Sequence, residues 1–216
     1  MSVSLVASNH VKGQPPISCN ITISGENKLS LMAGLVTGNT GDPGSLTATL
    51  GGNAPTGIIF NTSTNTYYRS FMFYWINPSD GEATAQIISA NTARAWFMIG
   101  CFNGVNQSVP FGTLKTGNAL ALTGIACNIG DLIVDLLTGN QDLVTGTKDA
   151  TWTDIRKDYL YTSANYGNGN TSYKVAISTS ESSTWTGLTN VQLHNAIPII
   201  EASGDVGEIL IPTWIF

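Results

Sequence analysis

Hydrophobic and polar residues alternate along short stretches of this chain, and clusters of Gly, Asn, Pro and Ser separate the stretches. In "ISCNITIS", residues 17–24, every second side chain is apolar and the ones between are polar. A period of two places successive side chains on opposite faces of a β-strand. Because such stretches recur and helical periodicity is scarce, we predict an all-β fold, an antiparallel β-sandwich of the jelly-roll type.

The clearest hairpin is "YYRSFMFYWINPSDGEATAQIIS", residues 67–89, with turn-forming residues at 77–81. Its first arm has large side chains on both faces, namely Phe71, Phe73 and Trp75 on one and Met72, Tyr74 and Ile76 on the other. Both faces of such a strand must be buried against other residues. The cover is either the core of the chain itself or a neighbouring subunit.

The charged stretch "DLVTGTKDATWTDIRKDYLY", residues 142–161, interrupts this pattern. We interpret it as a long excursion between strands and predict a helical turn or two near 152–161. With no linker or repeat evident in the letters, we predict one sandwich domain over residues 1–203. The apolar residues 204–216 follow it as an extension that forms an interface or an edge strand.

The composition excludes some classes of function. Only 11% of the residues are charged and 42% are hydrophobic, which is typical of a folded chain rather than a disordered one. The net charge of −5 provides no positive surface for phosphates, so we expect no nucleic-acid partner. No apolar run is long enough to span a bilayer, and no basic leader precedes one, so we expect synthesis in the cytoplasm and no membrane insertion.

The loop "GVNQSVPFG", residues 104–112, follows the apolar run "RAWFMIGCF". The amides of Asn106 and Gln107 are able to bond backbone groups that leave a strand, Pro110 ends the ladder, and Phe111 is able to re-enter the core. We predict a structural corner. The alternative is a patch of amides and an aromatic ring that binds sugar.

The residues that carry chemistry do not form a recognisable catalytic set. A glycosidase needs two carboxyl groups about 5–9.5 Å apart, whereas Asp131 and Asp135 would lie about 13 Å apart on one strand. Asp80 and Glu82 fall in a turn, where acidic residues are common. Three cysteines without paired spacing and an isolated His194 indicate neither a metal site nor a disulfide. We predict no catalytic residues, no metal, no cofactor and no enzymatic activity.

In order, "GENKLSLMAGLV", "FYWINPSDGEATAQIIS", "AWFMIGCFNGVNQSVPFG" and "NIGDLIVDLLT" resemble a group of sequences from bacteriophage structural genes and prophage-derived proteins, over residues 25–202. That group is similar to jelly-roll sandwiches of the concanavalin-like, lectin and glucanase type. Two departures touch a turn and the core: "LGGNAP" replaces a Tyr-Gly-Gly turn, and Trp75 follows Tyr74 instead of preceding it.

The resemblance implies a bacteriophage virion structural protein, made in the host cytoplasm, that serves in capsid decoration, a head fibre or the tail. Its partners would be other virion proteins and further copies of itself. The alternative is a carbohydrate-binding module or a glycan-active enzyme on the same kind of sandwich.

Two surfaces are predicted from the residues themselves. A host-surface glycan, if one is bound, would contact aromatic rings and amides in "YTSANYGNGNTSY", which are Tyr161, Asn165, Tyr166, Asn168 and Tyr173. A subunit or particle interface would use the apolar residues of the C-terminal extension, which are Ile209, Ile211, Trp214 and Phe216.

Overall fold

The computed structural model describes residues 2–38, 41–63, 67–89, 91–139, 146–161, 166–188 and 190–202. These residues form sixteen strands, all paired antiparallel, and the described ranges contain no helix long and apolar enough to cross a membrane. The predicted all-β antiparallel sandwich is confirmed.

Two sets of eight strands follow one another along the chain. The first set is β1 (Ser4–Gly13), β2 (Ile17–Ile23), β3 (Leu29–Gly38), β4 (Leu46–Leu50), β5 (Gly57–Ser63), β6 (Tyr68–Ile76), β7 (Gly81–Ser89) and β8 (Thr92–Asn103). The second set is β9 (Lys115–Gly117), β10 (Ala121–Ala126), β11 (Leu132–Gly139), β12 (Thr147–Lys148), β13 (Thr153–Tyr161), β14 (Tyr166–Val175), β15 (Ser180–Thr186) and β16 (Val191–Ile199).

Both sets have the same connectivity. The first forms a five-stranded sheet in the order β1-β8-β3-β6-β5 and a three-stranded sheet in the order β2-β7-β4. The second forms sheets in the orders β9-β16-β11-β14-β13 and β10-β15-β12, which are identical when its strands are renumbered from one. The alternation of strands between two sheets is that of a jelly roll. The range predicted as one domain thus contains two jelly-roll units in tandem.

The four sheets stack in four layers, because the two five-stranded sheets pack face to face and each three-stranded sheet covers an outer face. Residues from both units form the central core, among them Leu31, Leu35 and Met98 of the first and Val134, Leu136 and Ile197 of the second. Every residue of β3 and β11 is buried. The central strands therefore have no face left for solvent.

This stacking explains why the aromatic arm, which is strand β6, has large apolar side chains on both faces. Phe71, Phe73 and Trp75 point into the core beneath β2-β7-β4. Met72 points into the central core, against the second unit. The core alternative is correct here, and the second cover is the chain's own second unit rather than a neighbouring subunit.

The helical turn predicted near 152–161 is wrong, because Thr153–Tyr161 is strand β13 and pairs with β14 along its length. A tight turn precedes it, in which the backbone N–H of Trp152 donates to the carbonyl of Asp149 at 3.0 Å. The charges of the segment lie mainly on β13, an edge strand, and edge strands commonly carry charged residues, so these charges do not require a helix.

The corner predicted at residues 104–112 is confirmed, and it joins the two units. Asn106 Oδ1 accepts from the backbone N–H groups of Ser108 and Val109, at 3.0 and 2.9 Å. Phe111 packs against the central core, with its ring centroid 4.9 Å from that of Tyr74. The connection is anchored to both units, since Gly104 N–H donates to Glu26 in the first and Gly112 N–H donates to Pro198 in the second.

Candidate functional site

A cleft of about 460 Å³ opens in the first unit, between residues 51–56 after β4 and the hairpin that joins β6 to β7. Its polar lining includes Asn53, Thr56, Asn77, Asp80 and Glu82. Amides, a hydroxyl and carboxylates on one concave surface are groups able to hydrogen-bond to a small polar ligand, so this cleft is a candidate binding site.

The two carboxylates of the cleft already have protein partners. Lys28 Nζ donates to Asp80 Oδ1 at 2.7 Å, and Asn20 Nδ2 donates to Glu82 Oε1 at 2.7 Å. Trp75, 4% exposed, lies in the wall and donates from Nε1 to the carbonyl of Asn53 at 3.1 Å. These bonds fix the shape of the cleft, and they give structural roles to Asp80, which lies in the turn before β7, and to Glu82, which lies on β7 itself.

A second polar assembly lies inside the second unit, between its two sheets. We call it the Asp135 cluster, and its members are Asp135 of β11, Lys148 of β12, Ser172 of β14, Ser183 and Trp185 of β15, and His194 of β16. Five of the six side chains are fully buried, and the side chain of Lys148 is 2% exposed. Buried charges of this kind are retained only when they are paired and hydrogen-bonded.

Asp135 is the centre of the cluster, and both of its oxygens accept hydrogen bonds. Oδ1 accepts from Ser172 Oγ at 2.5 Å. Oδ2 accepts from Trp185 Nε1 at 3.0 Å and directly contacts Lys148 Nζ and Ser183 Oγ. The carboxylate thus links the two sheets of the second unit.

The charge states follow from this geometry. Burial raises the pKa of Asp135, but the hydrogen bond with His194 and the charge of Lys148 outweigh burial and hold that pKa at about 2. Burial lowers the pKa of Lys148, and the charge of Asp135 offsets the lowering only in part. The carboxylate has more partners than the ammonium, which explains why its charged form is the better stabilised of the two.

Ser183, His194 and Asp135 meet, but not as a hydrolytic triad. His194 Nε2 lies 2.9 Å from Ser183 Oγ and 3.2 Å from Asp135 Oδ2, whereas Nδ1 lies 3.0 Å from the carbonyl of Ala119. In a triad the carboxylate binds the ring nitrogen opposite the serine. All three side chains are also fully buried, so a substrate has no access to the hydroxyl.

The residues predicted to bind a glycan do not form one exposed loop. Asn168 is 2% exposed and Tyr173 packs against the central core, because both belong to β14 in the middle of a sheet rather than to a loop. Neither residue therefore lies in an exposed loop, and their role in binding a glycan stays a prediction. Tyr161 ends β13 and Tyr166 begins β14, but their side chains, like Asn165, lie outside the described residues.

The predicted interface residues Ile209, Ile211, Trp214 and Phe216 also lie outside the described residues. Spacing along the strand relates Asp135 only to Asp131 and therefore does not predict the Asp135 cluster. The available signal was a single carboxylate within the apolar run "LIVDLL", since a charge at such a position requires a buried partner.

Within the described ranges, no group of three His, Cys, Asp or Glu side chains has an arrangement that would hold a metal ion, and Cys19, Cys101 and Cys127 are free thiols. Comparison with family models, with curated proteins and with solved structures gave no match to the chain.

Proposed function

We propose that this protein is a non-enzymatic structural component of a bacteriophage virion, in capsid decoration, a head fibre or the tail. The observation that carries the proposal is the tandem repetition of one jelly-roll connectivity in a single short chain. Jelly rolls form viral capsid and lectin domains, and the sequence resemblance to phage structural genes favours the former.

The packing of the units supports a load-carrying role. Two five-stranded sheets share one core, and the connection at 104–112 is hydrogen-bonded to both units. A body with a continuous core deforms less than two domains on a free linker, because interiors are close-packed and little compressible. Its turns remain at the ends of the sheets, where they are able to contact neighbouring proteins.

The polar assemblies support a role without catalysis. The Asp135 cluster is closed to solvent, and the carboxylates of the cleft are engaged by Lys28 and Asn20. Neither arrangement offers an accessible nucleophile next to a general base, which nucleophilic hydrolysis requires.

The test is co-purification with particles. Virions of the source phage are separated on a density gradient, and this protein is quantified in each fraction by peptide mass spectrometry. We expect a fixed molar ratio to another virion protein across the particle peak. A protein that stays at the top of the gradient while the particles sediment would overturn the proposal.

The cleft favours a second function, the binding of a glycan, because its amides and hydroxyls match the polar groups of a sugar. A glycan array tests this by comparing two double variants. The first carries Asn53→Ala and Glu82→Gln in the cleft, and the second carries Tyr161→Ala and Tyr166→Ala. Binding lost only in the first assigns the ligand to the cleft, and binding lost only in the second assigns it to the β13–β14 hairpin. An unmodified protein that binds no glycan rejects both.

A further inference from the structure

We propose that Lys148 and Asp135 join covalently, through an intramolecular isopeptide bond between Lys148 Nζ and Asp135 Cγ. The bond would connect β12 of the outer three-stranded sheet to β11 at the centre of the second five-stranded sheet. It is a modification of the protein by its own side chains, and it does not depend on the proposed function.

The two groups are held in contact and away from water. Lys148 Nζ directly contacts Asp135 Oδ2, and the side chains are 2% and 0% exposed. Nζ also lies 4.1 Å from the ring centroid of Trp152 and 4.6 Å from that of Trp185. Fixing two reactants in contact corresponds to an effective concentration of about 10⁵–10⁸ M, and the indole rings keep hydrolytic water from the product.

Condensation also removes two buried charges from the interior of the protein. A buried ammonium and a buried carboxylate both lose their hydration, and their attraction often does not recover the loss. An amide is neutral and needs only one donor and one acceptor satisfied. Because burial lowers the pKa of Lys148, the uncharged amine, which is the nucleophile, is more accessible than in water.

The cluster contains a proton path for the step. Ser183 Oγ contacts both Lys148 Nζ and Asp135 Oδ2, and His194 Nε2 holds that hydroxyl at 2.9 Å. The Nζ lone pair forms the bond to Cγ, and the bond from Cγ to Oδ2 breaks. Two of the three ammonium protons pass to Oδ2 through Ser183, and Oδ2 leaves as water. Ammonium and carboxylate thus give amide and water, with no further reactant.

The other oxygen is placed to remain as the carbonyl. Ser172 Oγ donates to Asp135 Oδ1 at 2.5 Å, and this donor stabilises the negative charge that gathers on Oδ1 when nitrogen attacks. Before the reaction Asp135 rests as the carboxylate, so its leaving oxygen acquires protons only as the amine releases them. Ser172 and Ser183 are therefore positioning residues for the two oxygens of one carboxyl group.

A second pair provides a matched control. Lys174 Nζ donates to Glu181 Oε2 at 2.7 Å, with side chains 12% and 7% exposed. The other oxygen of Glu181 accepts from the backbone N–H groups of Ile177 and Ser178, and no hydroxyl bridges the amine and the carboxyl oxygen among the described contacts. We expect this pair to remain an ion pair.

The experiment measures the intact mass of the denatured full-length protein by mass spectrometry. The measured mass is compared with the mass calculated from the sequence, with and without Met1. We expect a mass lower by one water. Trypsin should leave the peptide Thr116–Arg156 uncut at Lys148, and its fragmentation should give no backbone ions between Asp135 and Lys148. Lys174→Arg should retain the loss of water, and Lys148→Arg should abolish it.

Asp135→Asn provides a second diagnostic variant, because condensation of an amide releases ammonia and gives the same final mass as the condensed wild-type chain, which is one water below the wild-type sequence mass. The measurement on the wild-type chain is decisive even if cluster variants fail to fold. A wild-type chain at its full sequence mass, cleaved at Lys148, would overturn the proposal. A water loss that persists in Lys148→Arg, as in a serine ester or a cyclised Asp80–Gly81, would overturn it as well.

Discussion

Gly34 and Asp135 occupy the same position in the two units. Gly34 lies on β3 opposite Phe71 of β6, and Asp135 lies on β11 opposite Ser172 of β14. The flanking residues agree, since "LMAGLVTG" at 31–38 matches "LIVDLLTG" at 132–139 in four of eight positions. One connectivity thus surrounds an aromatic core in the first unit and an ionic cluster in the second.

The first prediction concerns the space that Gly34 leaves. A Cβ there would lie 2.7 Å from Phe71 Cζ and 2.9 Å from the Cα of Phe97. We expect Gly34→Ala to reduce the free energy of unfolding by about 1–3 kcal/mol, because overpacking shifts neighbours that cannot yield. Denaturant unfolding measures this. The control is Gly41→Ala, since no atom lies within 4 Å of its new methyl group, and equal losses in both variants would contradict the prediction.

The second prediction concerns the joint between the units. Phe111 is half-buried against the central core and meets Tyr74 edge-to-face, with ring planes at 73°. We expect Phe111→Ala to lower the free energy of unfolding by about 2–3 kcal/mol, somewhat less than for a fully buried Phe. Val109, which is 56% exposed, supplies the control Val109→Ala. A Phe111 variant as stable as this control would show that the ring does not secure the joint.

The third prediction concerns pH. Burial raises the pKa of Glu181, but the hydrogen bonds from Lys174 and from the Ile177 N–H outweigh it and lower the pKa below its ordinary 4.5. Since the unfolded chain then binds more protons as the pH falls, the contribution of this carboxylate is present above pH 4.5 and is lost below it. Glu181→Gln should therefore destabilise the protein by about 1–3 kcal/mol at neutral pH.

The difference between Glu181→Gln and the wild type should shrink progressively in acid. Denaturant unfolding at a series of pH values tests this, with Glu26→Gln as the control for loss of a carboxylate at an exposed position. A difference that stays constant from neutral pH into the acid range would rule out the carboxylate as its source.

The fourth prediction concerns the C-terminal extension, whose alternating residues place apolar side chains on both faces of any strand formed there. The described core clusters are built from residues no later than Ile199. We expect deletion of residues 211–216 to leave a folded sandwich that no longer assembles into oligomers or onto particles. Circular dichroism and sedimentation measure the two properties separately. Unchanged assembly, or failure to fold, would contradict the interface role.

Local periodicity was sufficient to predict individual strands and the aromatic hairpin. The alternation in "ISCNITI" corresponds to β2, and the turn at 77–80 joins β6 to β7. Alternation reports only which face of a strand meets an apolar layer. It therefore indicated that β6 is covered twice, but not that the second cover is a sheet made later in the same chain.

The duplication and the Asp135 cluster were harder to predict, for a common reason. Equivalent positions hold Phe71 in one unit and Ser172 in the other. The two units are therefore more similar in strand order than in amino-acid sequence. The cluster draws its members from five strands, between Asp135 and His194, and only sheet topology brings them together. The charges of segment 153–161 do not distinguish a helical turn from an edge strand, because an edge strand tolerates charge equally well.

The order of the strands also governs what happens during synthesis. Once β8 has emerged from the ribosome, its partners β1 and β3 are already present, so the first five-stranded sheet is able to close. The face that carries Leu31, Leu35 and Met98 must then wait for β11, β14 and β16. At about 5–20 residues per second, the nascent chain presents a bare apolar surface for roughly 5–20 s. During that interval two nascent chains on one polysome are able to cover each other's face, so the intramolecular stack competes with co-translational dimerisation.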